Sequence, residues 1–228
     1  MEYLVTMTTH VPDGTSEEAV RDVRTREAAH SRDLAAQGHL LRLWRAPRQP
    51  GEWRSLGLFA AADSGRLEDV LAAMPLRVWR TDEVASLSPH PNDPANRNHR
   101  DIEVRAGTVE FLITLTISVP EGTPGQTVAD TKAREAERAR ELGEQGHLVR
   151  LWSVPARPGQ SRTLGLWRAQ DAAEMQAILE SLPLYPWLTA ETTTLGRHPS
   201  DPAITGELTV RRGTSGETPR PHRAHDGR

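Results

Sequence analysis

Apolar and polar residues alternate through EYLVTMTTH at the start of the chain, which puts Tyr3, Val5 and Met7 on one face at the period of a strand. VPDGT breaks the pattern. Charged residues and alanines from Glu17 to Gln37 then predict a long helix, stopped by Gly38. HLLRLWRA reads as a second strand, PRQPGEW as a hairpin turn and RSLGLF as a third strand. Leu67, Val70, Leu71 and Met74 form the apolar stripe of a shorter helix before Pro75, and Trp79 to Leu87 supplies the last strand. A shift of 108 residues repeats all of this without a gap, bringing GHLLRLW at Gly38 onto GHLVRLW at Gly146. The second copy has Phe111, Ile113 and Leu115 on its first strand. Its helices are expected from Val128 to Gln145 and around Met175, Ile178, Leu179 and Leu182, and its last strand from Trp187 to Leu195.

A period of this length is the size of a domain and far exceeds a solenoid repeat. Two repeats are therefore expected, at 1–95 and 109–203, with a polar linker at 96–108 and a disordered tail at 204–228 rich in Gly, Pro, Arg and His. The order strand, helix, strand, strand, helix, strand predicts an α+β fold of two ferredoxin-like βαββαβ repeats, each sheet carrying its helices on one face. The other face of each sheet needs a cover. The duplication supplies one within the chain, so the two sheets are expected to pack as an intramolecular pseudo-dimer.

Composition narrows the function. Among 228 residues there is no cysteine, which excludes disulfides, a thiol nucleophile and thiolate metal sites. Acidic and basic residues are mixed and the net charge is −3, so neither a nucleic-acid backbone nor a membrane surface has a basic patch to meet. No long apolar run or export signal is visible, and the expected location is the cytoplasm.

The candidate chemistry lies on the long helices. Arg24 and Glu27, and in the second copy Lys132 and Glu135, stand three residues apart and so share a helix face. A glutamate whose pKa is raised from about 4.3 by burial can remove a carbon-bound proton beside a carbonyl, while a neighbouring cation steadies the enolate. The same cation opposes the upward shift. The alternative is an exposed helical salt bridge worth about 0.3 to 0.5 kcal/mol. Arg42 and Arg150 share a strand face with Trp44 and Trp152, where they would bind a substrate carboxylate, pair internally with Glu27 or Glu135, or stack on the tryptophan. His39, His147, His90 and His198 suit capping or surface hydrogen bonds first and proton transfer second. None has the HExxH spacing of a zinc site, so no metal is expected. Gly57 and Gly165, inside a strand, suit a bulge or a close backbone approach rather than a phosphate loop.

At these residues the chain resembles the muconolactone isomerase family. The matching features are the basic residue and Glu of the first helix, the Gly that ends it, the LW of RLW, and LPLYPW from Leu182 followed by GRHPSD. The resemblance implies a dimeric α/β barrel in a larger homo-oligomer, here of fused pseudo-dimers. It also implies a cofactor-free isomerisation of a small carboxylated unsaturated lactone in aromatic catabolism. One proton leaves the ring carbon bearing the side chain and another reaches the carbon next to the lactone carbonyl. By the resemblance Glu135 transfers the proton and Lys132 is its electrostatic partner, with Arg150 a weaker carry-over. Glu27 and Arg24 hold the same positions in the first repeat. A histidine that some members carry in the hairpin is absent. The second repeat matches better, because Arg24 replaces the lysine and MPLRVW replaces LPLYPW; arginine cannot exchange a proton at neutral pH. Two alternatives remain: a non-catalytic small-acid binding or assembly protein on the same duplicated barrel, and another proton-transfer or oxygen-dependent activity.

Overall fold

A computed structural model describes residues 1–47, 53–97, 106–158 and 160–204. The turn at 48–52, most of the expected linker and the expected disordered tail from 205 onward lie outside the described residues.

The first repeat runs β1 (Glu2–Thr9), α1 (Glu17–Ala36), β2 (Leu40–Arg45), β3 (Trp53–Ala60), α2 (Ser64–Ala72) and β4 (Arg80–Pro89). The second runs β5 (Val109–Ser118), α3 (Gly125–Gln145), β6 (Leu148–Ser153), β7 (Gln160–Ala169), α4 (Ala172–Glu180) and β8 (Leu188–Arg197). The Ser16 hydroxyl accepts from the Ala19 N–H at the start of α1, and the Asp63 and Asp171 carboxylates do the same for α2 and α4. Helix α3 begins three residues before the sequence suggested. Gly and Thr in its first turn are weak helix formers, but the fixed φ of Pro124, −57°, is one that the position before a helix accepts, and its missing N–H costs nothing there. Gly38 and Gly146 take φ of 74° and 80°, the left-handed conformation that turns each long helix into the next strand.

Every strand pairing is antiparallel. Within the repeats the strand orders are β4-β1-β3-β2 and β6-β7-β5-β8, and the two sheets join edge to edge into one closed barrel. The seams are short: Trp44 and Arg45 of β2 face Arg197 and Gly196 of β8, while Ser88 and Pro89 of β4 face Ser153 and Trp152 of β6. Strand alternation divides the apolar residues into three clusters. Tyr3, Val5, Leu43 and Phe59 face the helices of the first repeat, and Phe111, Ile113, Leu151 and Trp167 face those of the second. Between them, Trp44, Leu58, Leu112, Trp152 and Leu166 fill the barrel from both repeats. Burying one such indole contributes roughly 4–6 kcal/mol as an upper bound, at about 25 cal/mol per Å².

The register shifts between Leu40 and Arg42, and again between Leu148 and Arg150. The shift lets Leu40 and Leu43 stay under the helices while Arg42 and Trp44 both turn to the barrel interior. Gly57 and Gly165 serve the close approach that their strand position suggested. A side chain there would run into the ring two residues on, Phe59 in one repeat and Trp167 in the other. No helix among the described residues is long and apolar enough to cross a membrane.

Candidate active site

Each long helix and the sheet beneath it line a half-open cavity, of about 500 Å³ in the first repeat and about 520 Å³ in the second. The spacing of three residues does what it predicted: Arg24 and Glu27 line the first cavity, Lys132 and Glu135 the second. In each pair the cation stays exposed and the carboxylate is partly buried. The salt-bridge alternative is not realised among the described residues. Arg24 instead lies 5.1 Å from the centre of the Trp53 ring.

The turn after each short helix aims a backbone N–H at the carboxylate. Leu184 N–H donates to Glu135 Oε2 at 2.9 Å, and Leu76 N–H donates to Glu27 Oε2 at 2.9 Å. Burial pushes Glu135 above the usual carboxylate range, and the Leu184 hydrogen bond opposes this. Burial also raises Glu27, against the Leu76 N–H, Arg80 and His30, while Asp82 adds to the rise. The difference lies in what surrounds the second oxygen. Arg80 Nη1 comes to 3.4 Å from Glu27 Oε1 and is itself locked to Asp82 by a contact of 2.6 Å from its Nε. At the matching positions the second repeat has Leu188 and Ala190. Glu135 Oε1 has no hydrogen-bond partner among the described residues, and its cavity walls include Leu115, Ile117, Leu151 and Trp167.

The expectation that Arg42, Arg150, Trp44 and Trp152 bind substrate is corrected by the structure, since none of the four lines either cavity. The register shift turns them inward, where they meet carboxylates of the opposite repeat. Arg42 donates from Nη2 to Glu110 Oε2 at 2.7 Å and from Nε and Nη2 to Asp201 at 3.0–3.2 Å. Arg150 is bonded in the same way to Glu2, at 2.7 Å, and to Asp93, at 3.1 Å. Trp44 Nε1–H donates to Glu110 and Trp152 Nε1–H to Glu2, with the two guanidinium groups 4.7 and 4.8 Å from their rings. Stacking on the tryptophan was the right alternative; the carboxylate partners are not Glu27 or Glu135. Arg168, where the first repeat has Ala60, adds a second cation at Glu110. Burial alone would raise Glu110, yet Arg42, the Trp44 N–H and Arg168 hold it below the usual range.

These ion pairs bring in residues that sequence reasoning did not place at a site. Asp93 and Asp201 each follow a histidine by three positions, in HPND and HPSD, and accept from the Leu151 and Leu43 N–H groups at 3.1 and 3.2 Å. Anchoring them carries His90 into the wall of the second repeat's cavity and His198 into that of the first. Both cavities are thus completed by the opposite repeat. Each Nδ1 accepts a backbone N–H two residues on, from Asn92 at 3.1 Å and Ser200 at 3.2 Å, which leaves Nε2 as the protonated nitrogen of a neutral ring. Burial lowers the pKa of His90 against the pull of Asp93; burial, Arg45 and Arg24 lower that of His198 to about 4. The sequence signal was the repeated HPxD with its aspartate in register. His39 and His147 remain backbone partners, of the Ala60 and Arg168 carbonyls. No group of three or more potential ligands that could hold a metal ion occurs among the described residues.

The profile of the muconolactone delta-isomerase family matches the chain twice, at residues 1–93 and 109–201. Over 90 residues, 40% of this chain, the sequence is 29% identical to the Muconolactone Delta-isomerase of Acinetobacter baylyi and covers 91% of that protein. The protein of the same name from Cupriavidus pinatubonensis is 28% identical over 90 residues, again 40% of this chain, with 95% of its length covered. Among solved structures, a heme-binding protein from Thermus thermophilus matches with a TM-score of 0.55 at 12% identity, over 92% of this chain and 96% of that one. A mutant chlorite dismutase from Candidatus Nitrospira defluvii matches with a TM-score of 0.53 at 11% identity, over 90% and 94%. At such identity these two likenesses concern the fold alone, the mixed α and β barrel with antiparallel strands. The sequence matches reach further, into both halves of the barrel: the chain belongs to the muconolactone delta-isomerase family.

Proposed function

We propose that the chain is a cofactor-independent isomerase that moves a C=C bond in a small carboxylated unsaturated lactone, and that it does so in the cavity of the second repeat. The observation that carries this reading is Glu135: a carboxylate held by one backbone N–H in an apolar cavity of about 520 Å³, raised in pKa by burial, with its second oxygen unclaimed among the described residues. Such a group removes a proton from the ring carbon bearing the carboxymethyl arm. The electron pair moves through the ring onto the lactone carbonyl as a dienolate. Returning the proton to the carbon next to that carbonyl completes the shift, with one proton taken and one given back. Lys132 supplies the cation at the cavity rim for the substrate's negative charge, and the Nε2–H of His90 supplies a neutral donor for the enolate oxygen.

The first repeat's Glu27 has both oxygens committed and serves no proton transfer in this reading. The test follows isomerisation of a carboxymethyl-substituted butenolide by NMR in deuterated water. Glu135→Gln is expected to lose at least a hundredfold in turnover and in solvent deuterium incorporation, while Glu27→Gln keeps both. The reverse pattern would overturn the assignment. A wild-type chain that exchanges no substrate proton would favour the binding or assembly alternative.

A further inference from the structure

The two cavities differ in a consistent direction. Where the second has Ser153, Ser161 and Leu188, the first has Arg45, Trp53 and Arg80. The first is therefore lined by four arginines, at 24, 45, 54 and 80, against one glutamate, Glu27. Arg80 is consumed by Asp82 and Glu27. Arg24 and Arg45 close no ion pair among the described residues, although they face one cavity. Both of them depress the pKa of His198, so their positive fields converge on the same wall.

The fold makes room for this change. Arg45 stands opposite Gly196 across the β2–β8 seam, and a Cβ on Gly196 would come within 3.3 Å of the Arg45 Cβ. The equivalent pair at the other seam is Ser153 opposite Ser88. Beside the cations lies an apolar surface formed by Met7, Leu43, Met74 and Leu76.

We propose that the first repeat's cavity is a second, non-catalytic binding site for a small dicarboxylate, whose two anionic ends are held by Arg24, Arg45 and the Nε2–H of His198 while its carbon skeleton lies on the apolar wall. Arg24 and Arg45 are both exposed at the mouth of this half-open pocket; two guanidinium groups facing one pocket repel each other until a dianion enters, and each forms a forked, charge-assisted contact with a carboxylate. The Trp53 ring holds Arg24 in place, which lowers the entropy lost on binding. An inorganic oxyanion would use the charges but leave the apolar wall uncovered. This site goes beyond the isomerase reading and does not depend on it: it concerns the cavity to which that reading assigns no chemistry.

The test is calorimetric titration of the full chain with adipate, with hexanoate as the monocarboxylate and inorganic phosphate as the bare anion. Adipate is expected to bind once per chain, at least tenfold more tightly than either comparison ligand. Arg45→Ser, which copies the second repeat, should weaken adipate at least tenfold, and Arg45→Lys should recover part of the loss. Trp53→Ser should weaken it severalfold without touching a charge. The Glu135→Gln chain should keep the full adipate isotherm, so loss of turnover and loss of this site are read separately. No saturable adipate binding below about 10 mM, unchanged adipate affinity in Arg45→Ser, or phosphate binding as tightly as adipate would each overturn the proposal.

Discussion

Replacing Arg42 by alanine should cost about 3–5 kcal/mol of folding stability, the range for breaking a buried ion pair from one side. The cost arises from what stays behind. The Arg42 side chain is 1% exposed, and its partners Glu110 and Asp201 are 9% and 2% exposed. Truncation leaves two carboxylates in a space that water enters poorly. Glu110 keeps Arg168 and the Trp44 N–H, and Asp201 keeps the Leu43 N–H, so the lower half of the range is expected. The equivalent Arg150→Ala is a built-in control. Arg150 and Glu2 are 13% and 26% exposed, so solvent can reach Glu2, while Asp93, 4% exposed, keeps the Leu151 N–H; the cost should fall to about 1–3 kcal/mol. Urea unfolding of both variants measures the difference. At about 2–4 °C per kcal/mol for a chain of this size, the thermal midpoint of the Arg42 variant should drop by on the order of 10 °C. Equal losses in the two variants, or less than about 1 kcal/mol for Arg42→Ala, would refute the idea that burial of the inter-repeat carboxylates sets the cost.

Asp93→Ala releases the segment that carries His90 into the second cavity, and lactone turnover should fall by about tenfold or more at subsaturating substrate, as steady-state kinetics will show. Glu110 has a depressed pKa, so its contribution is complete above the unfolded carboxylate value of about 4.3 and is lost as the pH falls through the lower folded value. The wild-type advantage over Glu110→Gln should therefore hold at pH 6 and shrink steadily in thermal scans below pH 4. Glu135 has the opposite sign: its raised pKa means that stability is fully present below the unfolded value and lost as the pH rises through the folded one. Glu135→Gln, the substitution expected to lose at least a hundredfold in turnover, should match the wild type near pH 4 and exceed it by about 1–3 °C at pH 8.

Much of this was legible in the sequence because it depends on local spacing. Alternation through Tyr3, Val5 and Met7 gives a strand with one face under the helices, and Gly38 and Gly146 end their helices for steric reasons that hold in any context. The three-residue step from Lys132 to Glu135 was enough to bring both to one cavity. Arg42 and Arg150 were misplaced because their direction depends on the register shift beside them, and their partners lie 68 and 148 residues away on the other repeat's first strand. His90 and His198 were read as capping or surface groups first and proton-transfer groups second for the same reason. Each belongs in sequence to one repeat and in space to the cavity of the other, a relation that exists only once the barrel closes. The aspartate that follows each histidine, kept in register in both copies, was the trace of that closure.

The seams at which the two sheets meet are two residue pairs long, and that brevity has an evolutionary side. In an assembly of identical subunits any substitution appears in every cavity at once, so a change that equips one pocket for a new ligand removes the old chemistry from all of them. Tethering makes the encounter of the halves intramolecular and independent of protein concentration, so short seams are enough to keep unlike halves together. It also fixes a one-to-one ratio between them. Arg45 and Gly196 can then stand at one seam where Ser153 and Ser88 stand at the other, and a barrel of two like halves is free to carry two different pockets.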